Sequence, residues 1–171
     1  YATVEYLIED GNYEIVSASR KEENINKAKE ILGEKAKFVT FIKADVSKEN
    51  DCKMIYKEIK NKYGRLDGLV NCAGIIKAGG IEHAKLEEWI EVININLTSM
   101  FILTKELLPL LKLGKNASIV NISSMASQVI GCSIAYGVSK SGVDTFTKYL
   151  ADELGKYKIR VNEVTPAAVY T

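Results

Sequence analysis

The amino-acid sequence predicts an α/β domain built on a doubly wound parallel sheet. Short β-branched or aromatic runs alternate with longer segments whose apolar residues recur every three or four positions. Most of the short runs are apolar without strict alternation, which suits strands that helices cover on both faces. A length of 171 residues with 47% hydrophobic content fits one domain that buries a core.

Helices and strands are expected to alternate along the chain. The first recognisable element is a helix, which is expected at residues 1–9. The strands are expected at residues 13–18, 37–43, 67–72, 117–122 and 159–164. The other helices are expected at residues 22–32, 48–63, 86–113 and 135–154. Ser47 is a suitable N-cap for the third helix. Glycines that accept the left-handed conformation are expected to end the helices at Gly11, Gly33, Gly64, Gly114 and Gly155.

Composition excludes several classes of function. Twenty-three basic and 22 acidic residues leave a net charge of +1, which gives no general attraction to nucleic acid or to an anionic membrane. The apolar stretches are interrupted by charged residues before they are long enough to span a bilayer. Three widely spaced cysteines and one histidine indicate neither a disulfide framework nor a metal site. We therefore expect a cytoplasmic protein without bound metal.

One group of polar residues has the pattern of a proton-transfer site. Tyr136 and Lys140 are four residues apart and share one face of the last predicted helix. A neighbouring ammonium stabilises a phenolate, so the tyrosine is suited to general acid/base work. Ser123 and Ser124 follow a predicted strand, and a serine hydroxyl can hold a carbonyl or alcohol oxygen. The pattern favours an enzyme that reduces a carbonyl or oxidises an alcohol.

The four-residue spacing by itself is weak evidence. Nine tyrosines in a lysine-rich chain make about one such match expected by chance. A second match, Tyr56 with Lys60, lies in a lysine-rich amphipathic helix that follows no serine pair, so we interpret it as a solvated face. Tyr136 and Lys140 differ because a strand, two serines and a loop precede their helix.

Three further motifs, taken in order, resemble the short-chain dehydrogenase/reductase family over essentially the whole chain. Asn71-Cys72-Ala73-Gly74 resembles its Asn-Asn-Ala-Gly turn, Ile95-Asn96-Leu97 its helix-borne asparagine, and Arg160-Val161-Asn162 through Pro166 its last nucleotide-binding strand. Residues 123–128 and 158–162 are most similar to dicarbonyl/L-xylulose reductases and related carbonyl reductases. The resemblance implies a Rossmann-like fold, a small-molecule carbonyl or alcohol substrate, and a homodimer or homotetramer.

The resemblance also implies roles for individual residues. Tyr136 would be the general acid/base, Lys140 would bind the nicotinamide ribose, Ser124 would hold the substrate oxygen, and Asn96 would anchor a water that links Lys140 to solvent. Both Tyr136 and Lys140 thereby also contact the cofactor. The remaining expected cofactor contacts are Asp45 and Val46 near the adenine, Asn71, Ala73 and Gly74 along the adenosine half, and Val169 and Thr171 at the carboxamide and phosphate.

The choice of cofactor depends on the end of the strand at residues 13–18. An acidic residue there accepts from the ribose 2′-hydroxyl of NADH, whereas cations accommodate the 2′-phosphate of NADPH. Arg20 and Lys21 follow this strand, and an arginine can clamp a phosphate with two hydrogen bonds. NADP(H) is therefore expected over NAD(H). In the alternative interpretation the two cations only begin a surface helix.

Several points remain open at this stage. The loop from Ser124 to Tyr136 is one residue shorter than the family's usual pattern, so Ser123 is the alternative substrate-binding serine. The family's first strand, its glycine-rich turn and its C-terminal segment have no counterpart here, so we expect a partial domain that binds cofactor poorly on its own. The alternative functions are a non-catalytic remnant that acts as a binding or oligomerisation module, and 3-oxoacyl carrier-protein reduction.

Overall fold

The structure is a computed structural model, and it describes residues 2–167. It confirms the α/β architecture with parallel strands. The strands are β1 (Ile15–Ser19), β2 (Val39–Lys43), β3 (Gly68–Asn71), β4 (Ser118–Ile122) and β5 (Arg160–Val164). The helices are α1 (Ala2–Asp10), α2 (Glu22–Leu32), α3 (Glu49–Tyr63), α4 (Leu86–Ile93), α5 (Ser99–Leu111) and α6 (Ile134–Gly155). Every predicted strand and helix is present, with ends shifted by one or two residues.

The strands form two parallel sheets. One holds β1 and β2, and the other holds β3, β4 and β5 in that order. Among residues 2–167, β1 pairs only with β2 and β3 only with β4. The two sheets nevertheless share one hydrophobic core, in which Ile42 of β2 packs in the same cluster as Leu69 of β3 and Ile119 of β4. The carboxyl ends of these strands therefore belong to one packed body.

Helix α6 brings the predicted catalytic pair to the three-stranded sheet. Its Val143 and Leu154 are buried, and the helix packs against β4 and β5. Burial of such side chains stabilises the contact by about 1.5–3 kcal/mol each. Within residues 2–167, no helix is long and apolar enough to cross a bilayer.

The predicted helix at residues 86–113 is wrong in one respect, because it is divided. A π-helical turn at Asn94–Thr98 separates α4 from α5. Asn96 lies in this turn, fully buried, and its side chain hydrogen-bonds the backbone of Ile75 outside the helix. Single π turns of this kind are frequent at functional sites. Residue periodicity does not predict the turn, because the apolar pattern continues through it.

Two expectations about helix ends are also wrong. Ser47 does not cap α3, since its hydroxyl donates to Asp45 Oδ1 at 2.6 Å and Lys48 occupies the cap position. Among the five glycines, Gly11, Gly33 and Gly64 do have positive φ, whereas Gly114 and Gly155 do not. Gly155 is instead the last residue of helix α6, and the left-handed residue after the helix is Lys158. At Gly114 the glycine is required for a close approach, because a Cβ would collide with the Leu66 carbonyl oxygen.

Candidate active site

The candidate site lies at the carboxyl ends of the three-stranded sheet. The Lys140 ammonium of α6 donates to the Ile122 carbonyl at the end of β4, over 2.7 Å. A Cβ built on Gly74, after β3, would lie 3.7 Å from Lys140 Nζ and 3.6 Å from Asn96 Oδ1. The segments after β3 and β4, the π turn and α6 therefore converge on one point. In open parallel sheets, ligands bind outside this edge.

Tyr136 and Lys140 are close together, but their separation is not what distinguishes them. Lys140 Nζ lies 5.6 Å from the centre of the Tyr136 ring, and Lys60 Nζ lies 5.7 Å from that of Tyr56. The difference is burial, because Lys140 is only 3% exposed whereas Lys60 is fully on the surface. Less water separates a buried ammonium from a neighbouring phenol, so the electrostatic interaction between the two groups is stronger.

The Lys140 ammonium titrates in an unusual environment. Burial lowers the pKa of Lys140 below its ordinary value, and the neighbouring Cys72 and Asp144 oppose that shift. A lysine whose pKa is lowered by desolvation and balanced by named partners is typical of a functional site.

Asn96 connects three parts of the site. Its Oδ1 accepts from the Ile75 backbone N–H at 2.8 Å, and its Nδ2 donates to the Ile75 carbonyl at 2.9 Å and to Ser139 Oγ at 3.0 Å. The Ser139 hydroxyl in turn donates to the Tyr136 carbonyl at 2.7 Å. Asn96 thereby fixes the loop after β3 and the first turn of α6 relative to each other.

The two candidate serines have different surroundings. Ser123 is buried, and its hydroxyl donates to Asp144 Oδ1. Ser124 is half-buried, and the one hydrogen bond of its hydroxyl oxygen is accepted from the Ala126 N–H at 3.2 Å. The Ser124 hydroxyl proton has no acceptor among residues 2–167, so this serine can still donate to a ligand oxygen.

The residues expected near the adenosine end lie at the carboxyl ends of β1 and β2. Arg20 and Lys21 are exposed, and Lys21 is the residue that precedes α2. Burial acts to raise the pKa of Asp45, but hydrogen bonds from Ser47 and the charges of Arg20 and Lys48 together hold it below its usual value. Arg20 and Asp45 are therefore neighbours at this edge of the two-stranded sheet.

The other expected cofactor contacts are distributed differently. Val46 is half-buried beside the core, and Ala73 and Gly74 are exposed. The side chain of Asn71 points into the protein, where it donates to Asn121 Oδ1 at 2.8 Å and lies 3.3 Å from Thr104 Oγ1. Asn71 therefore orders the sheet through its side chain. Val169 and Thr171 lie outside the described residues.

Two neighbours of the predicted catalytic pair were not expected from the sequence. Ser139 connects Asn96 to Tyr136, and Asp144 accepts from Ser123 one helical turn beyond Lys140. The spacing of four residues between Lys140 and Asp144 was the available signal, because it places both on one face of α6. Within residues 2–167 no group of three His, Cys, Asp or Glu side chains is arranged to hold a metal ion.

Comparisons with known proteins agree with this geometry. The short chain dehydrogenase family model matches residues 1–171. Carbonyl reductase family member 4 of Xenopus laevis is 40% identical over 132 residues, which are 76% of this chain and 56% of that protein. A 3-oxoacyl-[acyl-carrier-protein] reductase of Thermotoga maritima is 34% identical over 172 residues, which are 99% of this chain and 69% of that protein.

Solved structures also resemble the chain. The structure described as ElxO with NADP bound superimposes with a TM-score of 0.89 at 28% identity, covering 99% of this chain and 69% of that one. The Pseudomonas aeruginosa RhlG/NADP active-site complex superimposes with a TM-score of 0.84 at 28% identity, covering 92% and 63%. This chain thus spans little more than half to about two thirds of the proteins it matches. By the match over its whole length, the chain belongs to the short-chain dehydrogenase/reductase family.

Proposed function

We propose that the protein is an NADPH-dependent carbonyl reductase that also runs in reverse as an alcohol dehydrogenase. The observation that carries the proposal is the buried Lys140 ammonium beside Tyr136, at a strand edge that Ala73 and Gly74 leave open. A phenol with an adjacent buried cation is suited to pass a proton to a carbonyl oxygen. The absence of side-chain bulk at Gly74 suits the close approach of a cofactor to Lys140.

Each residue of the set has a distinct part in the proposed reaction. When bound, the nicotinamide cofactor supplies or accepts the hydride. Tyr136 donates its phenolic proton to the substrate oxygen, and Ser124 holds that oxygen with the hydroxyl proton that no described residue accepts. Lys140 stabilises the phenolate and binds the nicotinamide ribose. The Asn96 side chain holds the loop after β3 and helix α6 in place relative to each other. We also propose that the backbone of Asn96 anchors a water that links Lys140 to solvent.

The function is tested on the protein that carries this sequence, purified at its natural length. We expect NADPH oxidation that depends on an added ketone, aldehyde or dicarbonyl compound, measured by the loss of NADPH absorbance. No turnover of any member of such a panel, together with measurable NADPH binding, would contradict the proposal and favour a non-catalytic binding module.

A second candidate function is 3-oxoacyl carrier-protein reduction. The 34% identity to the Thermotoga maritima enzyme over nearly the whole chain supports it. A 3-oxoacyl thioester in the same panel separates the two functions. A kcat/KM for the thioester well above that for every simple carbonyl would favour the second candidate.

We propose NADPH as the cofactor because Arg20 is exposed at the end of β1, and NADP-bound relatives support the choice. Arg20→Ala is expected to raise the Kd for NADPH about ten-fold or more and to leave that for NADH unchanged, since a charge-assisted hydrogen bond contributes about 1.5–3 kcal/mol. Lys27→Ala, at an exposed position on the following helix α2, is the control. Equal or tighter binding of NADH by the unchanged protein would show the choice to be wrong.

Ser124 is the proposed substrate-binding serine. Ser124→Ala is expected to lower kcat by about 10²-fold, because a donor to the reacting oxygen is lost, while the fold is kept. Ser123→Ala is expected instead to lower the melting temperature, because the half-buried Asp144 carboxylate loses its donor. Steady-state kinetics and thermal unfolding of both variants check this. A larger loss of turnover in Ser123→Ala would reverse the assignment.

The assembly is also a proposal. Exposed apolar side chains on α5 and α6, among them Phe101 and Val138, line a groove of about 700 Å³ between the two helices. We propose that a second copy of the chain covers this face in a homodimer or homotetramer, and that the protein works in the cytoplasm. The three cysteines are free in the structure, which supports a reducing compartment.

A further inference from the structure

A cluster of polar side chains lies directly behind the catalytic lysine. Asp144 follows Lys140 by one helical turn on α6, and Glu163 lies on β5 opposite Asn121 of β4. Ser123, at the end of β4, completes the group. We call Ser123, Asp144 and Glu163 the carboxyl cluster.

Ser123 connects the cluster to the acceptor of Lys140. Its single hydroxyl hydrogen is directed to Asp144 Oδ1, and its backbone N–H donates to the Val164 carbonyl at 2.9 Å. The preceding residue, Ile122, supplies the carbonyl that accepts from Lys140 Nζ. The contact between Ser123 and Asp144 therefore holds the strand end whose carbonyl meets the ammonium. A shift of that strand end would move the ammonium with it.

Glu163 is the second carboxyl of the cluster. Its side chain lies beside that of Asp144, and its Oε2 is buried without a hydrogen-bond partner among residues 2–167. Burial and the charge of Asp144 raise the pKa of Glu163, against the opposing effects of Thr147 and Lys148. Burial and a neighbouring carboxylate both disfavour ionisation of a second carboxyl. Glu163 therefore keeps its proton to a higher pH than an ordinary glutamate does.

We propose that Asp144 is a positioning residue for Lys140: it fixes the end of β4 through Ser123 and places a negative charge behind the ammonium, with the Glu163 carboxyl beside it. This inference deepens the proposed function and rests on it. Asp144 acts through Lys140 and touches no reacting atom. Its charge keeps a buried lysine protonated, which the proton transfer from Tyr136 requires.

The charged groups near Lys140 determine how the loss of the Asp144 charge changes the Lys140 pKa. The charged or titratable groups around Lys140 are Tyr136 and Asp144 on its own helix and Cys72 after β3, and those around Glu163 are Asp144 and Lys148. Burial lowers the pKa of Lys140, and Asp144 opposes this shift. Removing the Asp144 charge therefore lowers the pKa of Lys140 further. Asp144→Asn keeps an oxygen acceptor for Ser123, so it removes the charge with little change of shape.

The direct test is an NMR titration of Lys140 in the natural-length protein labelled with ¹³C-lysine, with the Cε signal assigned through Lys140→Arg. Asp144→Asn is expected to lower the midpoint of the Lys140 titration by about one pH unit. Asp152→Asn, an exposed aspartate two turns further along α6, is the matched control and is expected to leave the midpoint unchanged. Equal midpoints in Asp144→Asn and the unchanged protein would overturn the proposal.

Glu163 gives a second readout that needs no activity. The folded protein holds the Glu163 proton more tightly than the unfolded chain does, so stability falls as pH rises from the ordinary carboxyl pKa through the raised one. Glu163→Gln, which mimics the protonated side chain, is expected to remove that fall in a series of thermal unfolding curves. An unchanged pH dependence in Glu163→Gln would show that the folded protein does not hold the Glu163 proton more tightly than the unfolded chain.

The pH dependence of turnover is expected to shift in the same direction as the Lys140 pKa. In Asp144→Asn the alkaline limit of carbonyl reduction is expected to move to lower pH, because loss of a nearby negative charge weakens proton binding by Lys140. If the unchanged protein reduces no carbonyl, the proposed function fails, while the titration and the unfolding series still decide whether Asp144 controls Lys140. If reduction occurs and the Lys140 midpoint does not move, only the positioning role fails.

Discussion

Replacing Tyr136 with phenylalanine is expected to lower kcat for carbonyl reduction by about 10²- to 10⁴-fold, the range that a general acid contributes. The change removes one hydroxyl and keeps the ring beside Lys140, so the fold and the binding of NADPH should persist. Steady-state kinetics for turnover and fluorescence titration for NADPH binding measure the two effects separately. The expected signature is lost turnover with a nearly unchanged Kd.

Tyr56→Phe is the matched control, because Tyr56 has the same spacing and the same distance to a lysine ammonium. We expect no loss of turnover in this variant. A comparable loss in both variants would mean that the effect comes from the spacing or from stability. Retained turnover in Tyr136→Phe would show that another group supplies the proton.

Replacing Lys140 with methionine is expected to have an effect of similar size on kcat/KM, about 10²-fold or more. Methionine keeps an apolar side chain in a site that is nearly closed to solvent, so little packing is lost. The ammonium is lost, and with it the stabilisation of the phenolate and the proposed contact to the ribose. Unlike Tyr136→Phe, this variant is therefore expected to weaken NADPH binding as well as turnover.

Lys60→Met controls for the loss of a positive charge, because Lys60 forms the corresponding pair on the surface. Its kinetics should match those of the unchanged protein. If Lys140→Met bound NADPH normally and lost only turnover, the proposed ribose contact would be wrong although the acid/base role would remain.

Most of the fold was predictable because its signals are local. Runs of apolar residues without alternation predicted all five strands, and three-to-four periodicity predicted α2 at residues 22–32 and α3 and α6 to within two residues. The π turn around Asn96 was not predictable, since hydrogen bonds to Ile75 and Ser139, distant in the chain, stabilise it. The cap at Ser47 failed for a local reason, because Asp45, two residues before it, accepts its hydroxyl.

The candidate site was likewise predictable only where the signal is local in the sequence. The pairing of Tyr136 with Lys140 follows from helical spacing, and the structure adds the burial that separates it from Tyr56 and Lys60. No local pattern indicated that the Asn71 side chain points into the protein, since Asn121, 50 residues away, is its main partner. Partnerships across such separations depend on the register of the strands, which the sequence of one segment does not contain.

The central claim is that this site transfers a hydride to a carbonyl under proton control by Tyr136. Deuterium transfer tests it most directly, using the natural-length protein, NADPH deuterated at the transferable position and a carbonyl substrate that turns over. The account predicts deuterium on the carbinol carbon of the product with the unchanged protein and with Tyr56→Phe, and almost no product with Tyr136→Phe. Product without deuterium on that carbon, or equal product from Tyr136→Phe, would contradict it.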